Sequence, residues 1–207
     1  MLRLIGLTGG IATGKTTVSN YLYQKYGLPV WDADLYACEA VQPGSPGLTA
    51  LVDRYGSGIL NLDLTLNRSQ LGEIIFAQAP ERQWVEQQIH PIVRRRFQQN
   101  IKLLQAQAPA NSRLTAVLAI PLLFEARMSN LVTEIWVVYC SPDQQLQRLL
   151  QRQPTHLTPD QAQARISSQM PLAEKCSRAD LVLNNTSTLN ALYDQVDRGI
   201  EIRIQKP

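Results

Sequence analysis

Gly9-Gly10-Ile11-Ala12-Thr13-Gly14-Lys15-Thr16 has the complete G-x-x-x-x-G-K-[ST] spacing of a phosphate loop. Glycines let backbone N–H groups turn toward phosphate oxygens with no Cβ in the way. Lys15 suits the β- and γ-phosphates of a nucleoside triphosphate, and the Thr16 hydroxyl suits a Mg²⁺ ion carried by that nucleotide. Residues Gly10, Ile11, Ala12, Thr13, Gly14, Lys15, Thr16 and Thr17 are the expected phosphate contacts. The motif has this meaning only where a strand enters it and a helix leaves it. Leu4-Ile5-Gly6-Leu7 reads as the strand, and Thr16 to Tyr26, with Val18, Tyr21 and Leu22 at helical spacing, reads as the helix. That helix start adds partial positive charge where phosphate would sit.

Other residues limit what is done with the triphosphate. The Asn-Lys-x-Asp motif of a guanine reader is absent. The strand Leu114 to Ile120 runs into Pro121-Leu122-Leu123-Phe124-Glu125, so its first acid falls well past the strand end, unlike a motor ATPase. Asp32-Ala33-Asp34 instead follows the second strand, Leu28 to Trp31, where a small-molecule kinase places an acid facing its acceptor hydroxyl. Arg148, Arg152 and Arg165 fall in a polar helical region before the last strand, as lid arginines would. Asp34 has a second reading, as the cap of the helix that follows. A nucleotide-sensing module without an acceptor is a further alternative, and the pairing of an acid with lid arginines counts against it.

These residues need a parallel sheet to position them. Leu114 to Ile120 and Glu134 to Cys140 are nearly continuous apolar runs, the mark of strands buried on both faces. Leu181-Val182-Leu183 is a short fifth strand. Ser141-Pro142-Asp143-Gln144 and Thr158-Pro159-Asp160-Gln161 both spell a helix start with a capping box. A last helix is expected from Ser187 to Ile202. Strands alternating with helices predict an α/β fold with a doubly wound, five-stranded parallel sheet. Between the second and third strands lie about eighty residues without strand rhythm. Short helices are expected there at Leu48 to Tyr55 and Ser69 to Phe76, with a leucine-dotted loop at Asn61 to Arg68. A long helix should run from Pro80 to Gln107, kinked near His90 by Pro91.

The 207 residues carry 44% hydrophobic and 18% charged side chains, an ordinary globular balance, with a net charge of only +3. That charge is too small to argue for nucleic acid, and no apolar run approaches the ~18–20 residues of a membrane span. The first residues do not read as a signal peptide, and Cys38, Cys140 and Cys176 form no C-x-x-C pair. Reduced thiols in a cytoplasm are the expectation, without a disulfide framework or zinc site. His90 and His156 are the only histidines, and no ligand cluster surrounds either.

The chain resembles the dephospho-CoA kinase family. The resemblance rests on Gly6-Leu7-Thr8-Gly9-Gly10-Ile11…Gly14-Lys15-Thr16, Asp32-Ala33-Asp34, His90-Pro91, Pro121-Leu122-Leu123-Phe124-Glu125 and Ser141-Pro142-Asp143-Gln144-Gln145-Leu146-Gln147-Arg148. Arg165, Gln169, Ala179-Asp180 and Asn184-Asn185 continue it. Two loop positions depart from the usual pattern: Ala12 stands where Gly is common and Thr13 where Ser is common. The resemblance implies phosphorylation of the ribose 3′-hydroxyl of dephospho-CoA by ATP, with Mg²⁺, and a nucleoside monophosphate kinase or other small-molecule kinase as the rival reading. It implies Asp34, Lys15 and Arg148 as catalytic residues, with Arg152 and Asn184 on the nucleotide. Thr8, Asp32, Arg68, His90 and Leu122 are the implied acceptor contacts, Thr8 and Asp32 having structural alternatives. No nucleic-acid or membrane partner is implied, and oligomeric state is left open. The implied organisation is a single domain with a core of 1–34, 109–147 and 173–207, an inserted helical subdomain of 35–108 and a lid of 148–172.

Overall fold

The computed structural model of the chain describes residues 2–109, 112–152 and 157–202. In chain order it contains β1 (Leu2–Gly9), α1 (Lys15–Tyr26), β2 (Val30–Asp32), α2 (Ala33–Glu39), α3 (Pro46–Tyr55), α4 (Arg68–Ala77) and α5 (Ala79–Gln107). β3 (Leu114–Ala119), β4 (Glu134–Tyr139), α6 (Pro142–Gln151), α7 (Pro159–Ser167), α8 (Leu172–Ser177), β5 (Leu181–Asn184) and α9 (Leu189–Ile202) follow. They form two compact units, one of Met1–Trp31 with Gln107–Pro207 and one of Asp32–Ala106.

The first unit is built on the parallel sheet, in the order β2-β3-β1-β4-β5. β1 is central: Leu7 pairs with Ala119 of β3 on one side and Trp136 of β4 on the other. The chain leaves β1 toward one half of the sheet and later fills the other half. The carboxyl end of β1 is therefore the switch point, where open α/β sheets bind ligands. Ile5, Leu7, Val117, Trp136 and Val138 are buried with Val18 and Leu22 of α1 and Leu192, Val196 and Ile200 of α9. Each such side chain contributes about 1.5–3 kcal/mol on leaving water, which fixes the strand that carries the loop.

Both expected capping boxes are present, Ser141 with Gln144 and Thr158 with Gln161. The last helix begins at Leu189 rather than Ser187, because the Thr188 hydroxyl accepts the Ala191 N–H and sets the start.

The second unit is helical. Ser45 caps α3 by accepting the Leu48 N–H, and Asn67 caps α4 by accepting the Gln70 N–H. Val41, Leu48, Leu51, Ile59, Leu66, Leu71 and Val85 form its core. The leucine-dotted loop is only partly a loop in packing terms. Leu66 is buried and bridges to Leu60, whereas Leu62 is fully exposed. α5 remains one helix of 29 residues across Pro91. α2 entered the sequence reading only as the helix that Asp34 would cap, and its seven residues hold under two turns, too few to show an apolar period.

Candidate active site

The loop that follows β1 takes left-handed backbone at two positions and is held in shape by carboxamide side chains from distant elements. Gly14 is the N-cap of α1 with φ 104°, a conformation that favours glycine, and it supplies no side-chain cap. The first turn of α1 carries no acidic residue. The Thr17 and Val18 N–H groups turn back to Gly14 O, which leaves those of Lys15 and Thr16 for an anion. Ala12 has φ 61°, so the departure from Gly at this position places an L-residue in left-handed backbone.

Three amide side chains hold this arrangement. Gln145 Nε2, on α6, donates to Ile11 O at 2.8 Å. Gln169 Oε1, between α7 and α8, accepts from Ile11 N–H at 2.9 Å. Asn185 Nδ2, just past β5, donates to Thr13 O at 2.9 Å within the protein interior. Thr13 is itself buried, and its hydroxyl donates to Gly10 O at 2.9 Å. A Cβ on Gly10 would strike Gln145 Nε2, and one on Gly14 would strike Asn185 Nδ2. The loop glycines thus serve close approach as well as backbone shape.

Lys15 opens α1 half-buried, Thr16 follows exposed on its first turn, and Thr17 donates its N–H to Gly14 O. An uncapped helix start, open amides, one lysine and one hydroxyl fit a polyphosphate. Among the described residues no group of three or more His, Cys, Asp or Glu could hold a metal ion. The exposed Thr16 hydroxyl is a hard oxygen donor of the kind that fits a Mg²⁺ ion.

Arg148, in the last turn of α6, directs its guanidinium to the end of β5. Nη2 donates to Asn185 O at 3.0 Å, while Nη1 is buried and makes no hydrogen bond. Burial pushes the Cys140 thiol up, and the Arg148 guanidinium beside it offsets part of that shift. Arg152 ends α6 and is exposed, as is Arg165 in the last turn of α7. Asn184 is exposed, and its Oδ1 accepts the Thr186 N–H in a turn. The following residue, Asn185, is the one that touches the loop.

Thr8 is fully buried, and its hydroxyl donates to Pro121 O at 3.0 Å. That hydrogen bond satisfies the Pro121 carbonyl, as the structural alternative for Thr8 expects. The same carbonyl accepts from Lys175 Nζ at 2.9 Å. Lys175 is fully buried on α8 and pairs with Glu125 Oε1 at 2.9 Å. Glu125 Oε1 also accepts the Met170 N–H. Leu122 lies half-buried in the turn after β3, its carbonyl accepting from Ala126 N–H.

In the second unit, Asp32 is the N-cap of α2 and accepts the Asp34 N–H at 2.8 Å. The cap is Asp32, and the alternative that Asp34 caps this helix is overturned. Asp34 stands exposed in the first turn. His90 is half-buried on α5; burial, with help from Arg94, pushes its pKa down against the pull of Glu86. Arg68 is the exposed first residue of α4. Of the run Arg94-Arg95-Arg96, Arg96 lies 3.8 Å from Glu39 of α2 and over the Tyr36 ring. His156 lies outside the described residues.

Sequence reasoning assigned no role to Gln145, Gln169 or Lys175, and of the pair Asn184-Asn185 it placed Asn184, not Asn185, on the nucleotide. Gln145, Gln169 and Asn185 stand inside the segments that carry the family resemblance, which was the one available signal.

A family model described as dephospho-CoA kinase matches residues 3–191. A dephospho-CoA kinase of Nostoc sp. is 56% identical over 202 residues, covering 98% of each chain. One from Synechocystis sp. is 54% identical over 194 residues, 94% of this chain and 92% of its own. A crystal structure of a Thermus thermophilus protein superposes with TM-score 0.80 at 28% identity, covering 99% of this chain and 98% of its own. Dephospho-CoA kinase from Campylobacter jejuni superposes with TM-score 0.69 at 25% identity, covering 97% of this chain and 96% of its own. The match runs through the loop, the buried strands and the segments that brace them, and the chain belongs to the dephospho-CoA kinase family.

Proposed function

We propose that this chain transfers the γ-phosphoryl group of ATP to the ribose 3′-hydroxyl of dephospho-CoA, giving coenzyme A and ADP, the last step of coenzyme A synthesis. The observation that carries this reading is the braced loop on the uncapped start of α1, in a chain of this family. Phosphoryl transfer asks a protein mainly for in-line placement and neutralisation of charge on the moving group. Lys15 and the loop amides not already tied within the protein, those of Ala12, Gly14, Lys15 and Thr16, hold the phosphates, while the Ile11 N–H is tied to Gln169 and that of Thr17 to Gly14 O. Thr16 would offer its hydroxyl to a Mg²⁺ ion bound with the nucleotide, which would supply neutralising charge to the phosphates. Arg148 adds a planar cation whose buried Nη1 has a free donor. Asp34 takes the proton of the attacking hydroxyl; with Asp32 acting as the helix cap, its carboxylate is not needed for that task.

In this reading 35–108 forms the acceptor-side subdomain, where Arg68 and His90 contact dephospho-CoA, and Leu122 meets it from the turn after β3. Residues 148–172 form a lid carrying Arg148, Arg152 and Arg165, whose closure keeps water from the phosphoryl group. Asn184 stands where the adenine end of ATP would lie. The three free cysteines suit a reducing compartment such as the cytoplasm. No helix among the described residues is long and apolar enough to cross a membrane.

A coupled ADP-release assay with dephospho-CoA as acceptor tests the proposal. Acceptor-dependent ADP release is expected, with the phosphate found on the 3′-oxygen. Turnover with a nucleoside monophosphate and none with dephospho-CoA overturns it.

A further inference from the structure

The connection between α7 and α8 grips two strand ends through adjacent residues. Gln169 Oε1 accepts the Ile11 N–H of the phosphate loop at 2.9 Å. Met170 N–H donates to Glu125 Oε1, in the turn after β3, at 2.9 Å. Lys175, fully buried one turn into α8, adds an ion pair to the same Glu125 oxygen. The Met170 end is therefore tied to a carboxylate that Lys175 itself holds in place. The Gln169 end rests on a single side chain, beside a cavity of about 300 Å³ lined by Gly10, Gln145, Ile166, Gln169 and Leu172. Little packing there could replace the hydrogen bond.

Ile11 is held on both sides of its own backbone, its C=O by Gln145 and its N–H by Gln169. The next residue, Ala12, sits at φ 61°. Left-handed backbone in a residue other than glycine persists only where its surroundings over-determine it. Released at Ile11, the loop can relax toward ordinary backbone and turn the amides of Ala12 to Thr16 away from a common anion centre.

We infer that Gln169 is a positioning residue for nucleotide binding: it transmits the placement of the α7–α8 connection to the phosphate loop by holding the Ile11 amide. Glutamine suits the task because it offers an acceptor at this reach without a negative charge beside bound phosphates. The inference rests on the kinase reading for its catalytic consequence, but the loop tie itself is read from ATP binding alone.

The test compares the full-length wild type with Gln169→Met, which keeps chain length and removes the acceptor. The dissociation constant of ATP is measured by calorimetry, alongside the melting temperature, KM for ATP and KM for dephospho-CoA. Loss of one hydrogen bond to a loop amide should raise the ATP dissociation constant and KM about 3–10-fold. The KM for dephospho-CoA and the melting temperature should stay near those of the wild type, since Gln169 is half-exposed. ATP binding as tight as in the wild type, or tighter, overturns the inference; so does an equal loss for both substrates. If Gln169→Met fails to fold, Gln169→Ala reads the same quantities. A wild type that binds ATP but does not turn over dephospho-CoA defeats the kinase reading and leaves the loop tie to be judged by the binding constants.

Discussion

Asn185 Nδ2 donates to the carbonyl of Thr13 at 2.9 Å, so the residue after β5 holds the middle of the phosphate loop. The same nitrogen occupies the space a Cβ on Gly14 would need. Asn185→Ala leaves a buried carbonyl without a partner, a loss of about 1–3 kcal/mol. Isothermal titration should show ATP binding weakened by about tenfold or more. Gly14→Ala should be worse, since it adds a collision to strained backbone. The double variant should recover only the collision, a non-additivity that a double-mutant cycle reads directly.

Ala12 offers a change in the opposite direction. Its left-handed backbone costs an L-residue about 1–2 kcal/mol, while glycine loses about 0.5–1 kcal/mol more chain entropy on folding. Ala12→Gly should therefore leave stability unchanged or raise it by up to about 1 kcal/mol. Ala12→Val, with a branched Cβ at φ 61°, should lower both the melting temperature and ATP affinity. Thermal melts with and without ATP check both.

Lys175 is a charge wholly removed from water and paired with Glu125. Lys175→Met strips that carboxylate of its cation and leaves Pro121 O with only Thr8. Breaking one side of a buried pair costs about 3–5 kcal/mol, reduced here to about 2–4 because the Glu125 side chain is 25% exposed. Urea denaturation should show that loss, and adding Glu125→Gln should return part of it.

Asp34→Asn tests the base. The cap oxygen belongs to Asp32, so the substitution leaves the start of α2 intact. Turnover with dephospho-CoA should fall by about 10²–10⁴-fold, with ATP binding within twofold of the wild type. Near-normal turnover would remove Asp34 from the mechanism. Asp32→Ala should instead cost about 1 kcal/mol in stability through the lost cap.

Glu81 governs an acid transition in the helical unit. Hydrogen bonds from Arg54 and then Tyr55 push its carboxyl from the usual 4.5 down to about 2. The unfolded chain therefore takes up a proton before the folded chain does. The contribution is fully present above about pH 4.5 and is lost as pH falls from there through about 2. Glu81→Gln should flatten that part of the melting-temperature profile between pH 6 and 2. An unchanged slope would assign the acid limb to other carboxylates.

The strands and the loop were legible because their signals are local. Leu114 to Ala119 and Glu134 to Tyr139 are continuous apolar runs, and burial on both faces of a parallel sheet requires such runs. Ser141 with Gln144 and Thr158 with Gln161 cap their helices over four residues, within reach of any local pattern. α2 was legible only through the acids at its start, because its seven residues are too few to show a period. The exchange of cap between Asp34 and Asp32 turns on one hydrogen bond, which composition does not specify.

Sequence alone determined that a triphosphate grip sits between a buried strand and a helix, and that an acid follows the second strand. Those statements depend on neighbours in the chain. Only the tertiary structure decided how the grip is kept in shape. Ile11 meets Gln145 across 134 positions and Gln169 across 158, and Asn185 meets Thr13 across 172. It also showed that Lys175, in a short polar helix, is buried against Pro121 and Glu125. A polar side chain reads as surface until the fold brings it a partner, because its burial is tolerable only once that partner is in place.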